Sequence, residues 1–142
     1  MSRRIAIIAA GIGCFGLLDS GYLTIKHLNG SYIRCSDECS AVLGSRYAEG
    51  IGGIPLAGFG AVSYAAVIIA ALASAGGSPA GRRVLAIIAP LMALISLWLL
   101  YLQAFVIHAF CQYCLASAAA SLSLAALVAI DRWSGRPQYP RE

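Results

Sequence analysis

The chain has 142 residues, 60% of them hydrophobic and 11% charged, with a mean hydropathy of +0.79 and a net charge of +4. Soluble domains carry about a quarter charged residues, so this composition excludes a soluble globular domain and leaves room for one small membrane domain. The positive charge is not a nucleic-acid footprint, because no basic patch alternates with aromatic residues.

Four apolar segments follow one another, roughly 5–28, 54–75, 84–108 and 112–130. Each meets or approaches the ~20 residues that a helix needs to cross a bilayer. Helices are required because a lone strand in lipid leaves its backbone unpaired. The expected fold is therefore an all-α integral membrane protein, a bundle of four transmembrane helices.

The first segment is too long for a signal-peptide core and has no evident small-x-small cleavage site, so it reads as an uncleaved anchor. Within it Asp19 is the costly residue, at about 2.5–3.5 kcal/mol in the bilayer core. It is expected to face the bundle interior near Ser20 and Gln103, either as an inter-helix hydrogen bond or as a proton site. Cys14, among Gly11, Gly13 and Gly16, reads as a small buried residue. His27 and His108 stand at span ends, where interfacial anchoring, proton transfer and metal ligation all remain open.

The loop at 29–53 holds Cys35-Ser36-Asp37-Glu38-Cys39. From Ser40 to Gly50 it carries apolar residues with polar ones between, which suits a short helix on the membrane surface. Gly50, Gly52, Gly53 and Pro55 then form a turn into the second span. The next loop, Gly76 to Gly81, reads as a flexible turn in which Pro79 ends any helix. Pro90 is expected to kink the third span. A tight turn at 109–111 precedes Cys111-Gln112-Tyr113-Cys114, which opens the fourth span. The small residues Ala116 to Ser121 let neighbouring helices approach. The tail at 133–142 reads as disordered, with Trp133 at the interface.

Lys and Arg set the orientation. The termini and the second loop hold Arg3, Arg4, Arg82, Arg83, Arg132, Arg136 and Arg141, against Lys26, Arg34 and Arg46 on the other side. Both termini are thus expected in the cytoplasm. Both cysteine pairs then lie outside, where disulfides persist.

Cys111 and Cys114 are three apart at a helix start, so their sulfurs share one face. A helix N-terminus favours a nearby thiolate and makes a disulfide there a better oxidant. Either pair alone is equally well read as an inert staple. Together, at one membrane level, they suit a relay by thiol–disulfide exchange. Zinc sites also use Cys and His, but in an oxidising compartment this pattern favours disulfides, and no metal is expected.

Four spans, a cysteine pair in loop one and a Cys-x-x-Cys opening span four resemble bacterial homologues of vitamin K epoxide reductase. Cys39-Ser40-Ala41-Val42-Leu43-Gly44-Ser45-Arg46-Tyr47, Gly53-Ile54-Pro55-Leu56, Tyr101-Leu102-Gln103 and Ser20-Gly21-Tyr22-Leu23-Thr24 are similar to family segments. The resemblance runs from about Ile5 to Asp131. It implies that Cys35 exchanges with a thioredoxin-fold partner, that Cys39 passes electrons to Cys111, and that Cys114 reduces a quinone of ubiquinone or menaquinone type. It implies that Ser45 and Phe59 line or lid the quinone pocket, and Phe110 is a further pocket candidate. Leu56 and Ala118 stand where the animal enzyme places polar contacts to its quinone, which favours plain quinone reduction over epoxide chemistry. The loop pair is also spaced more tightly than in the family. No fused thioredoxin-like domain is present within residues 1–142, so the partner is expected to be a separate extracytoplasmic protein. The alternatives are a quinone-epoxide reductase and a disulfide-stapled or metal-binding membrane protein without turnover.

Overall fold

The computed structural model describes residues 1–30 and 36–135, and within these the architecture is entirely helical apart from one isolated bridge between Ile51 and Ile54. Cys35 and the segment after Gly135 lie outside the described residues. The elements are α1 (Arg3–Leu28), α2 (Asp37–Leu43), α3 (Leu56–Ala75), α4 (Pro79–Tyr101), a π-helical continuation (Leu102–Ile107) and α5 (Gln112–Ser134). Four of them, with the π segment counted as part of the third, are long and apolar enough to cross a membrane. Together they form a ring in which α1 packs on α3, α3 on α4, α4 on α5 and α5 back on α1.

Small residues decide how the ring closes. The buried face of α1 is Ala6, Ala9, Ala10, Gly13, Gly16, Ser20 and Leu23, a three-and-four spacing that places nearly all its small side chains inward. Between lipid-embedded helices there is little hydrophobic drive, so close van der Waals packing holds them together. Gly16 shows how close. A Cβ there would overlap the ring of Tyr64, which is 1% exposed. Tyr64 in turn donates its hydroxyl hydrogen to the Ser117 carbonyl at 2.8 Å, tying α3 to α5. One turn further along the same face of α5, the Ser96 and Ser121 hydroxyls pair at 2.7 Å, tying it to α4. Leu18, Ile25, Val62, Ile69, Ile87 and Leu94 face outward, the inverse of a soluble protein and the pattern that lipid requires.

Several local expectations change. Pro79 starts a helix instead of ending one. It occupies the first turn of α4, where its missing N–H costs nothing, and the Ser78 hydroxyl caps the N–H of Gly81. Helix α4 runs through Pro90, and its departure from α-helical geometry comes at 102–107. The surface helix of the loop lies at Asp37–Leu43, not at Ser40–Gly50. Ser36 fixes its start by accepting the Cys39 N–H at 3.3 Å, and Asp37 and Glu38 suit the first turn. Gly44 ends it, and the chain turns under itself until the Leu56 N–H reaches the Ala48 carbonyl at 3.0 Å. Helix α5 continues to Ser134, so Trp133 is helical and not part of a disordered tail. Cys14 is exposed on the outer face of α1, since the inward positions are taken by its glycine neighbours Gly13 and Gly16.

Candidate redox site

The site is built where α2, the π segment and the start of α5 meet. Within the π segment the backbone winds more widely than in α4, and it closes on His108, whose φ of 55° is left-handed. Few residues other than glycine adopt that conformation, and it reverses the chain sharply. Gln103, 2% exposed, holds the reversal in place twice over. Its backbone carbonyl accepts the N–H groups of His108 and Ala109, and its side-chain Oε1 accepts the Cys111 N–H at 3.0 Å. Cys111 thus arrives at the N-cap of α5 in a fixed position.

Helix α2 brings Cys39 to it. The two Sγ atoms are 3.1 Å apart, and neither residue has any exposure. A disulfide needs ~2.05 Å, so bond formation asks for a movement of about 1 Å. Val42 and Ala109 complete the sealed cluster, with Leu43, Ile107, Tyr113 and Cys114 packed against it.

Cys114 lies one turn deeper. It lines a partly open cavity of about 210 Å³ in the bundle, together with Asp19, Tyr64, Leu99, Gln103 and Ser117. Ser45, Leu56, Phe59, Ala118 and His27, all singled out from the sequence, are in the same wall. The sulfurs are therefore ordered Cys39, Cys111, Cys114, cavity. Two expected members fall elsewhere, and a third is not among the described residues. Cys35 is outside the described residues. His108 is exposed at the reversal and absent from the wall. Phe110 is also outside it and half-exposed, because it stands in the turn ahead of Cys111, where the chain has not yet re-entered the bundle. Gln103 does face the cavity, but its recorded bond goes to Cys111 and not to Asp19. Among the described residues no group of three or more His, Cys, Asp and Glu side chains is placed to hold a metal.

Two contributors escaped the sequence reading. Ser36, between the loop cysteines, caps α2 and so orients Cys39. Tyr64 forms part of the cavity wall. The available signal was a lone tyrosine amid aliphatic residues, whose hydroxyl must find a partner when buried.

The electrostatics favour a thiolate at Cys111. Its pKa falls from 9.0 to about 6, first because the Cys114 thiol donates to its sulfur. Burial opposes this, while the Cys114 N–H, the Cys39 thiol and the Tyr113 N–H add to it. The Cys114 and Tyr113 N–H groups of the first turn hydrogen-bond the sulfur itself, and the field of the helix start favours the same charge. A sign follows. A lowered thiol pKa means the thiolate is present above about 6 and lost as pH falls through that value. In the reduced protein, the thiolate ultraviolet absorbance missing from Cys111→Ala is expected to titrate near that pH, with the ionised fraction dropping about tenfold per unit below it. A midpoint at the ordinary thiol value would contradict the geometry.

Among families of known proteins, the model for the vitamin K epoxide reductase family matches residues 7–129 of the chain. No match was found among curated proteins. The match spans all four transmembrane helices and includes Cys39, Cys111 and Cys114.

Proposed function

The chain belongs to the vitamin K epoxide reductase family, and on that premise we propose that this membrane oxidoreductase oxidises a thiol partner and reduces a quinone. The observation that carries the reading is the ordered line of sulfurs from the loop contact at 3.1 Å to the cavity wall. In the proposed cycle a partner dithiol reduces a Cys35–Cys39 disulfide and leaves as a disulfide. The Cys39 thiolate attacks Cys111 of a Cys111–Cys114 disulfide, and Cys114 departs as a thiolate. Cys35 then attacks Cys39, which restores the first disulfide and releases Cys111. Each exchange moves one electron pair.

The cavity fits a quinone. Its volume is below the about 300–1,000 Å³ of a pocket for a drug-sized ligand, which suits a ring head group with its tail left in lipid. Leu23, Leu56, Phe59, Met92, Ile95 and Leu99 would hold the ring, and Cys114 stands beside it. A bound quinone supplies an acceptor for two electrons and two protons. The carbon-only side chains of Leu56 and Ala118 support plain quinone reduction, not epoxide opening. The partner we propose is a separate thioredoxin-fold protein, with residues 1–132 as one membrane domain, 133–142 as a cytoplasmic tail, both termini cytoplasmic and the cysteines extracytoplasmic. The excess of arginine at the termini and the second loop supports that orientation.

The test is turnover. The purified full chain, given a dithiol donor and a short-chain quinone, is expected to form quinol, and Cys111→Ser is expected to reduce the rate to background. Quinol formation that survives in Cys111→Ser would overturn the reading.

A further inference from the structure

Resting on that quinone reading, we infer that Asp19 exchanges a proton with a carbonyl oxygen of the cavity ligand. Among the described residues, two buried side-chain oxygens have no hydrogen-bond partner, Asp19 Oδ2 and Ser74 Oγ, and of the two only Asp19 lines the cavity. Several of the hydroxyls around it are committed. Ser45 donates to the Val42 carbonyl at 2.7 Å, Ser63 to the Phe59 carbonyl at 2.9 Å, and Tyr64 to the Ser117 carbonyl at 2.8 Å. Ser96 is paired with Ser121, and Gln103 Oε1 with the Cys111 N–H. At Leu56 and Ala118 the wall offers only carbon. An acid at membrane depth with a buried, unpaired oxygen is costly to keep and marks a functional position. A carboxyl also serves both ends of a reduction. Protonated, it donates to a carbonyl oxygen; ionised, it accepts from the hydroxyl that oxygen becomes.

The chemistry closes with no reactant beyond a proton from the medium. The Cys111 thiolate and the Cys114 thiol lose two electrons and one proton and become a disulfide. Asp19 gives its carboxyl proton to the nearer ring oxygen and regains the one that Cys114 releases. The second oxygen takes back from the medium the proton that Cys111 gave up on ionising, so quinone becomes quinol, and Asp19 ends as it began.

Other groups share the wall and must be separated from it. The titratable ones are His27 on α1, Tyr47 in the loop, Tyr64 on α3, and Tyr113 and Cys114 on α5, with Cys111 behind Cys114. Helix α4 contributes Met92, Ile95, Ser96 and Leu99, none of which titrates.

The experiment measures binding apart from turnover. Menadione and a short-chain ubiquinone are titrated into the detergent-solubilised full chain, with ligand-induced thermal shift as the readout over acid to mildly alkaline pH. Wild-type affinity is expected to change with pH, and the same dependence to persist in His27→Gln. Asp19→Asn keeps a donor and nearly the same shape. It is expected to bind with a flat pH profile and to turn over at least about 100-fold more slowly. Asp19→Leu is expected to bind about 10-fold more weakly; if it does not fold, Asp19→Asn decides alone. A pH dependence retained in Asp19→Asn, or lost in His27→Gln, would overturn the assignment. So would near-normal turnover in Asp19→Asn, with the quinone reading left standing. A wild-type chain that binds neither quinone at any pH overturns that reading and this one together.

Discussion

Cys114→Ser is expected to stop turnover, by at least about 10⁴-fold, the scale reached when one member of a nucleophilic unit is removed. It is also expected to accumulate a disulfide between Cys39 and Cys111. The reason is geometric. The two sulfurs already touch at 3.1 Å, and neither cysteine has any exposure. Without Cys114 the exchange can be entered only in reverse, by attack of the Cys111 thiolate on Cys39 of a Cys35–Cys39 disulfide, with Cys35 as the leaving thiolate. Serine cannot then attack Cys111 to release Cys39, so the bridge is left to Cys35 alone and accumulates. A non-reducing peptide mass map reads the species directly. Cys111→Ser should be equally inactive but show no such bridge. If Cys114→Ser yields no Cys39–Cys111 peptide, the proposed exchange order is wrong.

Tyr64→Ala is expected to cost about 3–5 kcal/mol of stability, the range for losing a buried aromatic ring. In lipid the loss is one of packing more than of water release. The ring fills the gap that Gly16 leaves in α1, and without it α1 and α3 face each other across a void. Tyr64→Phe keeps the ring and forfeits only the bond to Ser117, at about 1 kcal/mol. Thermal unfolding of the two variants in one detergent checks both values. Equal losses would mean that the hydroxyl, not the ring, carries the contact.

Hydropathy was enough to find the four spans, because membrane helices must be continuous and apolar. The cysteine spacing drew attention to Cys39, Cys111 and Cys114, and the resemblance put Ser45, Leu56, Phe59 and Ala118 near one another, where the structure places them. The π-helical stretch was not legible. Leu102-Gln103-Ala104-Phe105-Val106-Ile107 contains no glycine or proline to mark it, and it ends in bonds from His108, Ala109 and Cys111 to Gln103 that no hydropathy pattern announces. The surface helix was misplaced because Ala41, Val42 and Leu43 drew the pattern forward, whereas its start depends on the hydroxyl of Ser36. Pro79 was misread because a proline that ends one helix and a proline that opens the next look alike without the capping serine bond. Phe110 was misassigned for a simpler reason: adjacency to Cys111 in sequence says nothing about direction across a tight turn.

The sealing of Cys39 against Cys111 has a consequence for selectivity among reductants. A junction with no exposed metal on either side is insulated, and current passes only through its own terminals. Small thiols dissolved in the surrounding compartment meet no accessible sulfur at this contact. They can discharge the couple only by way of the loop or after the cluster opens. Burial here works as a dielectric sleeve: the couple takes its electron pair from a donor that fits the loop and not from any small thiol in solution.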